Sequence, residues 1–274
     1  MTQYIAVEVQ STDEILMALL ADFEFEAFEE EDNQFTAYIV KEHFDTPTQK
    51  QVTELIQSYT DRFRIYEPEN KNWNAIWEAS FEPVVVEDFC QIRADFHPPI
   101  PNINYDLVIN PKMAFGTGHH ATTWMMIKQM SDIQFNRKSV FDFGCGTGIL
   151  AILASKMGAD AIDAIDIEHE SFLNTIENAS VNNVNNIETY EGDLDVMPSK
   201  KYDIILANIN RNILIKYART LSERLHPDGI LLLSGILNDD QDIVTDAFRM
   251  EHLYLKQQLE RENWVCLRLE KHLD

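Results

Sequence analysis

Basic residues are scarce in this chain. Its 274 residues include 22 lysines and arginines against 46 aspartates and glutamates, a formal charge of −24. Proteins that grip nucleic acid usually carry a basic patch, because neutralising phosphates supplies much of their affinity. Direct nucleic-acid binding is therefore not expected. An acidic surface suits plain solubility or a lysine-rich protein partner. Cysteine is also rare. Cys90, Cys145 and Cys266 are odd in number, far apart and without CxxC spacing. That speaks against a disulfide framework or a zinc site and suits a reducing cytoplasm. Glycine and proline number nine each, which excludes collagen-like and low-complexity classes. The longest apolar stretch, GILLLSGIL at 229–237, is too short to span a bilayer. The opening MTQYIAVEVQ has no charged segment followed by an apolar one, so no signal peptide is expected.

What is present falls into two patterns. Residues 4–10 alternate like a strand, and Ser11 with Glu14 suggests a capping box for a helix ending near Asp22. FEFEAFEE and QFTAYIV read as strands joined by a polar turn. Thr46 to Tyr59 reads as a helix opened by Pro47, and RFRIYEP as a closing strand. The order βαββαβ predicts a small ferredoxin-like α+β domain over 1–67. It contains no histidine cluster and no glycine loop, so recognition and packing are the roles open to it. Residues 68–82 read as a linker with a short helix carrying Trp73, Ile76 and Trp77, and two short strands follow within FEPVVVEDFCQIRADF.

From about residue 138, apolar runs alternate with helix-period segments, as expected of a mostly parallel sheet covered on both faces. The last two runs, LYLKQQLE and WVCLRLEK, flank the polar turn RENW and predict a hairpin, so one strand must run antiparallel. The expected fold over 83–274 is α/β: a seven-stranded Rossmann-like, doubly wound sheet with a terminal antiparallel hairpin.

The chemistry concentrates in VFDFGCGTGILA at 140–151. Strand, glycine turn and helix form the layout of a nucleotide site in such folds. Gly144, Gly146 and Gly148 permit a tight turn and close approach of a ligand, and the following helix offers unpaired N–H groups. The spacing is GxGxG, not the dinucleotide GxGxxG, because Ile149 occupies the last glycine position. No GK[ST] follows, so a P-loop is excluded. Asp142 lies inside the strand. Asp166, at the end of AIDAID, lies about 20 residues past the glycines and can accept hydrogen bonds from both ribose hydroxyls. Its alternative role is to cap the next helix. Asp163 is the register alternative, placed mid-strand.

Two further stretches matter. In NPKMAFGTGHHATTWMMI, a glycine loop leads through Thr117, His119 and His120 to Thr122 and Thr123 at a helix start. The adjacent histidines cannot share one face, so a metal site is not expected. A cover over a bound cofactor fits better, with Met113 and Phe115 as shields, and capping is the simpler role for the threonines. In DIILANINRNIL, Asn208 ends the fourth parallel strand, where the crevice of such folds opens. Its side-chain oxygen can accept a hydrogen bond from an amine. A turn or cap role is the alternative.

Taken in order, MAFGTGHHATT, VFDFGCGTGILAI, AIDIE, ENASVNN and ANI resemble the bacterial methyltransferases of large-subunit ribosomal protein eleven, the PrmA family. The resemblance covers the second domain in order and spacing. The first domain resembles the family in layout alone, and the linker NWNAIWEASFEP is also similar. It implies a class I methyltransferase using S-adenosylmethionine, with the first domain holding the ribosomal protein. The cofactor contacts it implies are Thr123, Gly144, Asp166 and Asn208, with Asn208 also facing the amine. Thr117, His120 and Gly146 are adjacent candidates. Ala121 stands where the family usually has proline, and Glu168-His169 replaces a common aspartate-proline. The implied reaction is one displacement by a neutral lysine amine, and the sequence leaves open whether the N-terminal α-amine is also a target. No dedicated base is evident; His120 could accept a proton or fix the loop. A different protein substrate, or a module that binds the cofactor without catalysis, are the alternatives. The enzyme is expected to be a cytoplasmic monomer.

Overall fold

The computed structural model describes residues 4–21, 23–31, 33–67, 82–110 and 118–272. The chain divides into two compact units, Met1–Ser80 and Phe81–Asp274.

The first unit runs β1 (Tyr4–Val9), α1 (Glu14–Ala21), β2 (Phe25–Glu31), β3 (Gln34–Val40), α2 (Thr46–Gln57) and β4 (Phe63–Tyr66). The sheet order is β2-β3-β1-β4 and every pairing is antiparallel. This is the ferredoxin-like arrangement. Its core gathers Val7, Val9, Leu16, Leu20, Phe35, Ile39, Val52 and Ile56. Asp45 caps α2, its Oδ1 accepting the Thr48 N–H at 2.9 Å, and Pro47 sits in the first turn where no N–H is missed. The cap of α1 corrects the expectation. Asp13 Oδ1 accepts from Leu16 N at 3.2 Å, whereas Ser11 Oγ accepts from Asp13 N and stands outside the helix. The expected linker helix with Trp73, Ile76 and Trp77 lies outside the described residues.

The second unit begins with a three-stranded sheet, β5 (Val84–Val86), β6 (Cys90–Arg93) and β7 (Tyr105–Val108). β5 and β6 form a hairpin, and β7 joins β6 in parallel. β7, of four residues like β6, was not expected from the sequence. Arg93 fixes it through two 2.8 Å hydrogen bonds to Asp106, an ion pair between neighbouring strands.

The large sheet is built from β8 (Ser139–Phe143), β9 (Ala161–Asp166), β10 (Ile187–Glu191), β11 (Tyr202–Asn208), β12 (Leu225–Leu237), β13 (Leu253–Arg261) and β14 (Trp264–Lys271). The order is β10-β9-β8-β11-β12-β14-β13. The first five strands are parallel, and β14 runs antiparallel to both neighbours. Glu262 and Asn263, both at positive φ, make the two-residue turn of the final hairpin. The helices are α3 (Ala121–Met130), α4 (Ile149–Lys156), α5 (His169–Val181), α6 (Arg211–Glu223) and α7 (Gln241–Arg249).

The strands alternate between two apolar layers. Val140, Ile162, Ile204 and Leu206 face one core with α3 and α4; Phe141, Ile165, Ile205 and Leu233 face the other with α6 and α7. Burial on both faces explains why these strands read as nearly continuous apolar runs. The three cysteines are free and buried. Among the described residues, no helix is long and apolar enough to cross a membrane.

Candidate functional site

A cleft of about 1010 Å³ opens over the C-terminal ends of the parallel strands. It brings together His120, Thr123, Gly144, Gly146, Asp166 and Asn208. Thr117, Met113 and Phe115 lie outside the described residues.

The glycine turn is tied to the end of β9. The N–H groups of Gly144 and Cys145 both donate to Ile165 O, at 2.9 and 3.0 Å. Gly146 N–H donates to Asp166 Oδ2 at 2.9 Å. Gly148 begins α4 at φ +77°, and a Cβ there would stand 2.8 Å from Thr175 Cγ2. No other residue fits that turn without strain.

Asp142 explains why a carboxylate interrupts an apolar strand. It is buried, and Oδ2 accepts from Ala151 N at 3.1 Å, so it satisfies an amide in the first turn of α4. Its Oδ1 is buried without a hydrogen-bond partner. Burial raises its pKa to about 7, with the charge of Asp166 adding to the shift and the Ala151 N–H opposing it.

Asp166 ends β9 at the cleft. Oδ1 accepts from Glu168 N at 3.0 Å, closing a local turn. The cap position of α5 belongs to Glu168, so Asp166 is not the helix cap. Asp163, three residues earlier, is buried away from the cleft, where it accepts from the Tyr202 hydroxyl and pairs with Lys200 Nζ at 2.7 Å. Of the two register alternatives, Asp166 lines the cleft and Asp163 does not.

Asn208 ends β11. Its Nδ2 donates to Thr123 Oγ1 at 3.4 Å, while its Oδ1 is buried with no partner. Thr123 is fully buried in the first turn of α3. The cap of that helix is His120 rather than either threonine: its Nδ1 accepts from Thr122 N at 3.3 Å. The His120 ring meets Trp264 edge-to-face at 4.8 Å. His119 turns elsewhere, donating from Nε2 to Glu82 O at 2.8 Å.

The cleft contains residues that the sequence reading passed over. Gly235 lies within β12 at φ +84°, and a Cβ there would come within 2.3 Å of Ile209 O. The close approach of two backbones has a sequence signal, a glycine interrupting an apolar strand. Asp193 accepts from the Tyr217 hydroxyl, which holds its carboxyl below the usual range, and both line the cleft. Trp264, at the start of β14, also lines it. Neither Asp193 nor Trp264 carried a distinguishing local pattern.

The family model for ribosomal protein L11 methyltransferase (PrmA) matches residues 4–272. A ribosomal protein L11 methyltransferase from Porphyromonas gingivalis is 40% identical over 266 residues, covering 93% of this chain and 89% of the relative. A crystal structure of ribosomal protein L11 methylase from Lactobacillus delbrueckii subsp. bulgaricus is 27% identical with a TM-score of 0.65, covering 70% of this chain and all of that one. A Thermus thermophilus 16S rRNA methyltransferase, solved with S-adenosylmethionine and guanosine, shares the fold at 18% identity and a TM-score of 0.50, covering 58% of this chain and 45% of that one. With the match running through both units, this chain belongs to the ribosomal protein L11 methyltransferase family.

Proposed function

We propose that this chain, a methyltransferase of ribosomal protein L11, transfers the methyl group of S-adenosylmethionine to lysine amines of that protein. The residues of the cleft fit that cofactor. Asp166 presents a carboxylate whose oxygens each hold one backbone N–H, leaving further acceptor capacity for ribose hydroxyls. Gly144 and Gly146 contribute backbone and no side chain to the cleft lining. When bound, S-adenosylmethionine supplies an electrophilic methyl group on a sulfonium centre.

The observation that carries the reading is the unpartnered Asn208 Oδ1. Its amide nitrogen is engaged by Thr123, so the oxygen is the atom left for an incoming N–H. A lone buried acceptor is costly unless something pairs with it. An amine donating to it is held in one orientation, and such positioning can supply much of a displacement's acceleration. The lysine must first lose a proton, and desolvation in the cleft favours its neutral form. His120 Nδ1 is engaged by Thr122, which supports a loop-fixing role for His120 over a role as base.

The first unit is assigned the task of holding the ribosomal protein. Its sequence stretch EFEAFEEED is rich in acid, and the chain's charge of −24 suits a lysine-rich partner. The free, buried cysteines support action in a reducing cytoplasm.

The test is transfer of labelled methyl groups to purified L11, followed by peptide mapping. Label on lysine side chains supports the assignment. Label confined to other residue types contradicts it.

A further inference from the structure

Helix α5 carries three buried asparagines one turn apart, Asn174, Asn178 and Asn182, the last ending the helix. They act on the backbone of the segment that leaves β7. Asn182 Oδ1 accepts from Val108 N at 3.0 Å, and its Nδ2 donates to Val108 O at 2.6 Å. Asn178 Oδ1 accepts from Asn110 N at 3.1 Å, and Asn174 Nδ2 donates to Asn110 O at 3.2 Å. Four residues of helix rise about 6 Å, and two residues of strand rise about 6.6 Å. The two periods match closely enough for helix side chains to replace a neighbouring strand. The sequence ENASVNN, noted above only as part of a resemblance, supplies two of the three.

Asn178 does more than its neighbours. Its Nδ2 also donates to Thr147 O in the glycine turn at 2.9 Å. One turn of helix away, Thr175 Oγ1 donates to Gly146 O at 3.0 Å. One carboxamide thus bonds the glycine turn on one side and Asn110 on the other. Asn110 lies ten residues before His120 in the chain, and the stretch after His120 carries Thr123, the partner of Asn208.

We propose that Asn178 is a positioning residue that couples nucleotide binding at the glycine turn to the placement of the chain leaving β7 at Val108–Asn110. This rests on the reading of the cleft as the S-adenosylmethionine site. Ligand binding that stiffens the glycine turn fixes the Asn178 amide, which fixes Asn110 and the β7 end. Asn182 holds the same segment without touching the turn, and serves as the internal comparison.

The experiment uses the full chain and three variants, Asn178→Ala, Asn178→Asp and Asn182→Ala. Calorimetry gives the affinity for S-adenosylmethionine, hydrogen exchange of the Val108 and Asn110 amides is followed with and without it, and methyl transfer to L11 gives kcat and KM. In the parent chain, S-adenosylmethionine slows exchange at Val108. In Asn178→Ala, affinity falls about tenfold, as expected for loss of one hydrogen bond, and the ligand no longer slows Val108 although Asn182 is intact. Asn182→Ala exchanges faster at Val108 but keeps its affinity within about twofold. Asn178→Asp retains the acceptor for Asn110 and lacks the donor for Thr147, so it follows the alanine variant and carries the same readouts if that variant does not fold. Unchanged affinity with ligand-slowed Val108 exchange in the Asn178 variants would overturn the coupling, as would equal affinity losses in the Asn178 and Asn182 variants. Absence of binding by the parent chain would instead overturn the nucleotide reading, and is measured first.

Discussion

Asn208 Nδ2 and Thr123 Oγ1 stand 3.4 Å apart across the cleft, one at the end of β11 and the other in the first turn of α3. The bond fixes which face of the carboxamide is left open, and the open oxygen is buried without a partner. Replacing Asn208 by alanine removes the group assigned to the amine. The expected result is a kcat on L11 lower by roughly 10²-fold, in line with loss of one positioned polar group. Affinity for S-adenosylmethionine should change much less, because Asp166 and the glycine turn remain. Single-turnover transfer and calorimetry on the same preparation check this.

Thr123 acts through Asn208 in this arrangement. Thr123→Val keeps the volume and removes the hydroxyl, so Asn208 loses its orienting partner. The expected kcat loss is about tenfold, the size of one hydrogen bond. The two substitutions should be non-additive, with the Thr123→Val/Asn208→Ala pair no slower than Asn208→Ala alone. Additive losses in the double variant would show that Thr123 acts independently.

Asp142 predicts a pH dependence of stability. Its folded pKa, raised to about 7 from 3.8, means that the folded chain holds a proton that the unfolded chain releases. Its contribution is fully present below about pH 4 and is lost as pH rises through about 7. The slope within that window approaches roughly 1.4 kcal/mol per pH unit. Asp142→Asn keeps an oxygen for the Ala151 N–H and removes the titration. Denaturant melts of the ligand-free proteins should show the asparagine variant gaining relative stability between pH 5 and pH 7.5. A constant difference across that range would show that Asp142 does not titrate there.

Gly235 marks where β12 passes the Ile209 backbone. A Cβ would fall 2.3 Å from Ile209 O, and the φ of +84° disfavours any side chain. Gly235→Ala should therefore lower stability by more than about 1 kcal/mol. It should also weaken cofactor binding, because Ile209 adjoins Asn208 and lines the cleft. Thermal melts and calorimetry read the two effects separately.

The fold was legible because its central strands β8, β9, β11 and β12 carry buried apolar runs and are punctuated by polar turns. Strands β8 to β14 and the helices between them follow the apolar runs, and the antiparallel β14 follows from a hairpin whose turn is Glu262-Asn263. β7 escaped because it owes its place to Arg93 and to asparagines more than 60 residues away in sequence. In the cleft, Gly144, Gly146 and Asp166 were legible through spacing, and Asn208 through its place at the end of a strand and the resemblance. Asp193 and Trp264 were not, because only the fold brings them to the cleft, and Gly235 showed only as a glycine interrupting an apolar strand. The same limit hid the role of ENASVNN, whose asparagines look like a polar helix face until the strand they bond is seen. At α1, a sequence rule that fits two residues chose the wrong one, since Asp13 lies closer to the helix than Ser11 and its carboxylate reaches Leu16 N.

The most direct measurement is calorimetric titration of S-adenosylmethionine into the intact chain, its Asp166→Ala variant and its Asp163→Asn variant. Loss of charged hydrogen bonds to the ribose should cost about 2–3 kcal/mol, roughly a hundredfold in affinity, for Asp166→Ala. Asp163→Asn, altered at a buried ion pair outside the cleft, should bind like the parent. Undiminished binding by Asp166→Ala, or a greater loss in Asp163→Asn, would contradict the placement of the nucleotide over the end of β9.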